Sequence, residues 1–421
     1  MVFFRLAVKS LRNRILATTL TVFAIALSVT LLLSVERARR AAEDGFTQTI
    51  SKTDLIVGAR SGPLQLLLYT VFNMGNATHN INYETYQKIR QNPAIEWTVP
   101  YSLGDGHRGF RVVGTNEDFF KHYRFRGDKN IAFHEGHAFE GLWDVVIGAD
   151  VARKLSYRVG DRIVVAHGVT KEEGVLKHDD RPFVIVGIME ATGTPLDRAV
   201  YISLEGMEAL HIDWENGSVP AAGKVTPNSL IKKENMVIGT ITSFFVGAKS
   251  RIDTLRLQRE INNFKEEPLL AIIPGVTLSE LWNGLSYVEG VLKMISWMVV
   301  IVGFMAMLIA LTTTLNERRR EMAILRAVGA GPGKILGLLV FESAVLTLLG
   351  IVLGLVLSTA LSMVLRPWLE TEFGLYLAGP LFTKKELIYL LITLIGGILA
   401  GLIPALRAQS LSLKDGLSMR V

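Results

Sequence analysis

The stretch MISWMVVIVGFMAMLIALTTTL, residues 294–315, carries no charged side chain. As a helix rising about 1.5 Å per residue, it is long enough to cross the ~30 Å hydrocarbon layer of a bilayer. On its N-terminal side, Leu278, Leu281, Leu285, Val288, Leu292, Ile295 and Val299 recur at alternating three- and four-residue steps. That is a coiled-coil-like seam, and no proline interrupts it before the span. Thr277-x-x-Glu280 has the form of a capping box that would start the helix. On the C-terminal side stands NERRREMAILRAVGAGPGK, residues 316–334. This pattern predicts helix up to Val328, with Gly329 just past its end and Pro332 opening the next helix. Met322, Ile324, Leu325 and Val328 place an apolar face between the charges, the shape of a helix that docks in a partner's groove.

Three more stretches are long and apolar enough to span: Ile15–Val35, Ile335–Leu365 (broken only by Glu342) and Leu387–Leu406. The 421 residues are 49% hydrophobic and 20% charged, with a mean hydropathy of +0.34. These values fit a chain that is part membrane and part water-soluble. The formal net charge of +6 raises the question of nucleic acid. Much of the basic charge sits beside the apolar runs, however, as membrane topology requires, and no nucleic-acid partner is expected. With no cysteine, disulfides, thiolate metal sites and a cysteine nucleophile are excluded.

Lys/Arg counts orient the spans. Arg5, Lys9, Arg12 and Arg14 precede the first span. Arg318, Arg319, Arg320, Arg326 and Lys334 lie between the second and third, and Arg407, Lys414 and Arg420 follow the fourth. These three flanks are expected in the cytoplasm, with both termini inside. Arg37, Arg39 and Arg40, just after the first span, argue the other way. In the loop between the third and fourth spans, Glu370, Glu372 and Glu386 partly offset Arg366, Lys384 and Lys385. The first apolar run is too long for a signal-peptide core, and Glu-Arg-Ala-Arg-Arg follows it instead of a small-residue cleavage site.

The expected fold class is therefore an integral membrane α-helical protein with four transmembrane helices, one before and three after a large mixed α/β domain of two subdomains on the periplasmic side. The expected division is 1–35 for the cytoplasmic amphipathic N-terminus and first span, 36–290 for the outer domain with its stalks, and 291–315 for the second span. Then come 316–334 for a cytoplasmic helix, 335–365 for the third span, 366–386 for a short outer loop, 387–406 for the fourth span and 407–421 for the tail. Within the outer domain, Leu55, Phe110, Trp143, Arg162 and Phe183 each open a short strand-like run. Tyr83–Gln91, Ala149–Leu155 and Thr254–Phe264 read as helices, and Ala199–Ile202 as a further strand. Thr170–Arg181 reads as a hairpin tip and Trp214–Lys233 as an exposed loop. Leu64, Leu67, Leu68 and Phe72 lie in an apolar patch, Ser61–Met74, too short to span. It is either core or a surface facing a substrate or partner.

Among polar candidates, Glu342 stands inside a span, where an ionisable group is expensive unless paired or close to the headgroups. It either pairs with the basic loop or snorkels. Gly350, Gly354, Ser358 and Ser362 in the third span, and Gly397 and Gly401 in the fourth, recur at four-residue steps that permit close helix contact. Gly331-Pro-Gly-Lys334 is not a phosphate loop, because Ile335 stands where Ser or Thr must hold Mg²⁺, and Val328 where the first glycine belongs. His134 and His137 form the only local histidine motif, and a metal site is not expected there.

Three segments together resemble one family. LAVKSLRNRILATTL (6–20) is similar to that family's amphipathic lead-in to the first span, and ERRREMAILRAVGA (317–330) to its coupling-helix signature. Phe341-Glu-Ser343 ahead of a glycine-rich span, and Pro404-Ala-Leu-Arg-Ala, are similar to its last two spans. The chain thus resembles the permease subunits of MacB/FtsX/LolC-type ABC systems, the mechanotransmission or type VII class. An inserted subdomain is placed across about 115–225, with the resemblance carried by Asp144–Leu210. Ala323 replaces the usual glycine of the coupling helix.

The resemblance implies that Glu317, Arg320, Glu321, Ile324, Arg326, Ala327, Val328 and Gly329 meet a cytoplasmic ABC ATPase dimer. It implies that ATP and Mg²⁺ are bound by that separate ATPase and no cofactor by this chain, which is not itself expected to be an enzyme. It further implies that a second copy pairs with the first in the bacterial inner membrane, within the lipid bilayer, and that a periplasmic accessory protein is a candidate partner. The expected function is to couple ATP hydrolysis to periplasmic work, exporting or extracting a peptide, lipoprotein or lipid-like substrate. The alternative is an FtsX-like transmitter that regulates a periplasmic partner and transports nothing.

Overall fold

A computed structural model describes residues 14–47, 49–166, 181–213, 226–317, 324, 326, 329–373 and 383–410. Its helices of five residues or more are, in chain order, α1 (Ile15–Thr47), α2 (Pro63–Val71), α3 (Tyr83–Arg90), α4 (Asp118–His122) and α5 (Ala149–Leu155). They continue with α6 (Leu204–Leu210), α7 (Arg251–Asn262), α8 (Pro274–Glu317), α9 (Pro332–Phe373) and α10 (Lys384–Ser410). The chain divides into two compact units. One is helical, built from the described residues up to Ala42, Leu285–Leu369 and the last helix. The other is α/β, built on Glu43–Gly284.

In the helical unit four helices are long and apolar enough to cross a membrane, over Ile15–Gly45, Ser286–Thr313, Pro332–Trp368 and Lys384–Arg407. The helices outrun the apolar stretches. α1 continues past Val35 through Glu36, Arg37, Arg39 and Arg40, and α8 is continuous over 44 residues. The start of α8 differs from the capping-box expectation. Pro274 opens the helix, and the Ile273 carbonyl accepts from the N–H groups of Val276 (3.1 Å) and Thr277 (3.2 Å). Thr277 therefore lies inside the first turn, because proline's fixed φ already starts the helix there.

The bundle packs where side chains are missing. A β-carbon added at Gly350 would fall 2.7 Å from Cβ of Ile25, and one at Gly354 the same distance from Cβ of Val29, both on α1. The small residues Gly397 and Gly401 of α10 meet Thr347 and Ser343 of α9 equally closely. Ile25, Val29, Leu33, Met307, Leu311, Leu346, Ile351 and Leu390 fill the space between all four helices. Small residues let helices approach where lipid offers no hydrophobic drive.

The strands of the α/β unit are β1 (Leu55–Ala59), β2 (Ile81–Asn82), β3 (Ile95–His107), β4 (Phe110–Thr115), β5 (Arg124–Phe125), β6 (Lys129–Asn130) and β7 (Phe133–Gly136). After these come β8 (Asp144–Ile147), β9 (Arg162–Ile163), β10 (Phe183–Met189), β11 (Ala199–Ser203), β12 (Thr240–Ile241), β13 (Ser243–Ala248) and β14 (Leu269–Ile272). One mixed sheet runs β14-β1-β13-β3-β4-β11-β8-β10-β7, with β9 on β10. β4–β11 and β8–β10 are its parallel pairs.

Alternation along each strand explains its two faces. Ile56, Phe245, Val113, Val146 and Tyr201 all point into one core that extends across the sheet. Their neighbours point the other way, and there the core is divided. Leu55, Val57, Phe244 and Val246 pack under α3 and α7, while Val112, Val145, Ile147, Val200 and Ile202 pack with Val151 of α5 and Phe183. The segment expected as an inserted subdomain thus adds its strands to the common sheet and carries its own core on one face. Most of the Thr170–Arg181 loop and of the Trp214–Lys233 loop lies outside the described residues.

Candidate functional site

The segment after α8 is the first candidate. Ile324 and Arg326 are helical, and the Ile324 side chain is exposed. Gly329 has φ +92°, a left-handed conformation that favours glycine, and its N–H donates to the Arg326 carbonyl at 3.0 Å. That is how a helix ends, and α9 begins three residues later at Pro332. Arg320, Glu321, Ala327 and Val328 lie outside the described residues, as does the side chain of Glu317.

The stalk seam is packed only at its start. Leu278 is buried in the sheet core and Leu281 is half-buried, whereas Val288 and Leu292 are 57% and 44% exposed. Leu285 is helical, but its side chain is outside the description. The seam spacing shows which residues share a stripe. It does not make one chain supply the partner that covers them.

Glu342 is buried on α9, 5% exposed, so the snorkelling alternative is corrected. It sits one position before Ser343, which lies one turn before Thr347; both are fully buried against α10. For the apolar patch, the surface alternative is likewise corrected and the core alternative holds. Leu67 and Phe72 belong to the sheet core, because α2 turns that side inward; Leu68 is half-buried, and of the four only Leu64 is exposed. These four residues therefore do not form one surface.

The histidines are dispersed. His122 stacks on Trp97 at a centroid distance of 5.0 Å, and His137 Nδ1 donates to the Ala138 carbonyl. Among the described residues no group of three or more His, Asp or Glu side chains is placed to hold a metal. His107 is buried. Its Nδ1–H donates to the Val164 carbonyl at 2.7 Å, and Nε2 accepts from Tyr157 at 3.0 Å. Burial keeps its pKa below the usual histidine value, so both bonds belong to the neutral ring.

Sequence reasoning missed a charged layer in the helical unit. Glu386, at the start of α10, has a fully buried side chain. Its Oε1 accepts from Arg37 Nε at 3.2 Å and from Arg40 Nη2 at 2.6 Å. Arg39 reaches Glu36 at 2.9 Å and Glu289 of α8 at 3.5 Å, and Glu289 also pairs with Lys293. The three arginines that oppose the charge-based topology are thus neutralised by carboxylates within the unit. Thr383-x-x-Glu386 was the available signal, since it is a capping box. The Thr383 N–H donates to Glu386 Oε2 at 3.3 Å, and the Glu386 N–H to Thr383 Oγ1 at 3.4 Å.

One helix, an α/β domain, then three helices, with all four helices long and apolar enough to cross a membrane, give the chain the architecture of a multi-pass membrane protein with one large non-membrane domain. The family models identify its class, ABC transporter permeases: the MacB-like periplasmic core domain matches residues 18–264, and the FtsX-like permease C-terminal domain matches residues 293–413. The chain belongs to the MacB/FtsX family of ABC transporter permeases. A Methanocaldococcus jannaschii protein, described as an uncharacterized ABC transporter permease, is 27% identical over 237 residues, which are 55% of this chain and 53% of that one. The chain thus spans about half the length of this curated relative. Among solved structures, the periplasmic region of MacB from Actinobacillus actinomycetemcomitans aligns with 54% of this chain and 92% of its own, at 11% identity and a TM-score of 0.32. The extracellular domain of the noncanonic ABC-type transporter YknZ from Gram-positive bacteria aligns with 46% and 89%, at 12% identity and 0.29.

Proposed function

We propose that this permease couples ATP hydrolysis by a separate cytoplasmic ATPase to conformational work in its α/β domain, and so exports or extracts a peptide, lipoprotein or lipid-like substrate. In this reading both termini and the 316–334 segment are cytoplasmic, the α/β domain is periplasmic, and two copies pair in the cytoplasmic membrane. The observation that carries it is α8. It runs unbroken from Pro274 in the α/β unit to Glu317, where the basic segment begins, about 66 Å at the usual helical rise. An unbroken helix joining a domain to a span is the kind of element that the proposed coupling requires. Ile324 and Gly329 support docking of an ATPase at the cytoplasmic end, the first as an exposed apolar anchor and the second as the helix stop.

The test is to purify the full chain with the ATPase encoded beside it and to measure ATP turnover, with and without Glu321→Ala and Gly329→Trp. Loss of the complex, or of the permease-dependent change in turnover, is the expected result. No association of any ATPase with the intact chain would overturn the reading. A complex whose turnover follows a periplasmic protein and no transported substrate would point to the transmitter alternative instead.

A further inference from the structure

We propose that Glu386 is the centre of an ionic clamp that fixes the register of the four membrane helices where α1 leaves the apolar span and α10 begins. The carboxylate has two functions, one for each oxygen. Oε2 caps its own helix through the Thr383 N–H, and Oε1 receives Arg37 and Arg40 of α1. Arg37 extends the layer to α9, with Nη1 3.4 Å from Thr359 Oγ1. Arg39 extends it to α8 through Glu289, which Lys293 also contacts, and Glu36 closes the layer on α1 itself. All four helices therefore meet in one charged layer, and its central carboxylate is removed from solvent.

The rest of the unit shows why such a layer is needed. Thr21, Thr347, Thr359, Ser362 and Thr393 each donate to the carbonyl four residues back in their own helix. Bonds of this kind do not discriminate one helix register from another. Apolar and small-residue contacts also tolerate a shift of a turn far better than a buried carboxylate does. A carboxylate that has lost its guanidinium partners is penalised heavily in a poorly hydrated site. The clamp makes one register much better than its neighbours, which is the best-attested role of buried ionic groups. This inference rests on the helical unit alone and does not depend on an ATPase partner.

The chain lacks cysteine, so two introduced cysteines can be labelled selectively. Leu31→Cys on α1 and Leu391→Cys on α10 occupy exposed positions, 38% and 49%, flanking the layer. With spin labels there, the full chain in lipid nanodiscs is expected to give one narrow distance distribution. Glu386→Gln is expected to broaden it and shift it outward. Arg37→Gln with Arg40→Gln is expected to do the same, and the three changes together to do no more than either set. Lys384→Gln, which removes an exposed neighbouring charge, is expected to leave the distribution unchanged. If Glu386→Gln does not yield folded protein, the arginine pair carries the test, since it leaves the helix cap intact. A distribution unaffected by these changes, or broadened additively by them, would overturn the clamp.

Discussion

The two units satisfy buried polar groups in opposite ways. In the α/β unit, buried polar side chains tie together segments that the chain keeps apart. Thr70 Oγ1 donates to Ser243 Oγ at 3.0 Å across 173 residues. More locally, the Asp197 carboxylate closes its own loop, accepting from the N–H groups of Thr192 and Gly193 and from the Thr192 hydroxyl, at 2.7–3.0 Å. Thr115 donates to the Pro100 carbonyl, and Tyr123 to that of Thr49. In the helical unit the hydroxyls mostly bond within their own helix. Among the described residues that cross, Ser28 and Thr30 reach the Val299 and Gly354 carbonyls at 3.0 and 3.2 Å, Thr347 reaches Met307 Sδ at 3.8 Å, and Thr359 accepts from Arg37. A sheet domain can specify its fold with scattered polar ties. A bundle in lipid relies on close packing and, here, on one charged layer.

The largest expected effect is at Asp197. Asp197→Ala strands several buried donors and is expected to destabilise the α/β unit by about 3 kcal/mol or more, by the penalty for unsatisfied buried groups. Asp197→Asn keeps one acceptor and is expected to lose less. Burial also raises the Asp197 pKa despite these donors, so its charged form is less favoured here than in water. Fluorescence-monitored urea unfolding of the full chain, read at the transition of the α/β unit, measures both variants. Equal losses for the two would mean that shape, rather than hydrogen bonding, sets the value of this residue.

The helical counterpart is Gly397→Leu. Even a β-carbon there falls 2.1 Å from Thr347 Oγ1 and 2.9 Å from its Cβ. Overpacking of this kind is expected to cost about 1–3 kcal/mol, measured by SDS titration of the helical unit. Thr347→Ala in the same background is expected to recover part of the loss, because it removes the atoms in the way. No recovery would mean that the contact is not the cause.

A pH effect follows from His107. Its pKa in the fold lies below the unfolded value of about 6.5. The neutral ring therefore stabilises the fold fully above pH ~6.5, and the contribution is lost as pH falls through the lower folded value. Melting of the α/β unit in the full chain is expected to shift downward over that range, and His107→Gln to flatten the shift. The smallest expected effect is Thr393→Val. Its hydroxyl bonds only the Tyr389 carbonyl one turn back, so the change is expected to alter helical-unit stability by about 0.6 kcal/mol or less. A larger loss would show that hydroxyls in this bundle do more between helices than their geometry indicates.

Legibility differed between the units for a physical reason. Apolar runs report spans directly, and Ile15, Pro332 and Lys384 open helices close to where hydropathy places them. Short strands such as β1, β4 and β8 were also readable, since their branched apolar residues are bounded by turn formers. β3 was not, because Pro100, Gly104 and Gly106 interrupt its pattern; pairing with β13 and β4 holds that strand together. The helix stop at Gly329 was legible because a left-handed glycine after a helix-forming run is a local signal. The clamp was not, since Arg37 and Glu386 are separated by nearly the whole chain. The apolar patch stayed open between core and surface for a related reason: composition shows that residues are greasy, not which way α2 turns them.

The sequence by itself determined the four spans, the α/β character of the domain between the first and second, and the helix stop at Gly329. Each is set by chemistry within a few residues, such as transfer of apolar side chains or a left-handed backbone. Tertiary structure alone decided that one sheet runs through the whole α/β unit, that Leu67 and Phe72 lie inside it, and that Glu386 receives two arginines of α1. Those outcomes depend on which distant segments meet, and the energy that selects them exists only once they are packed.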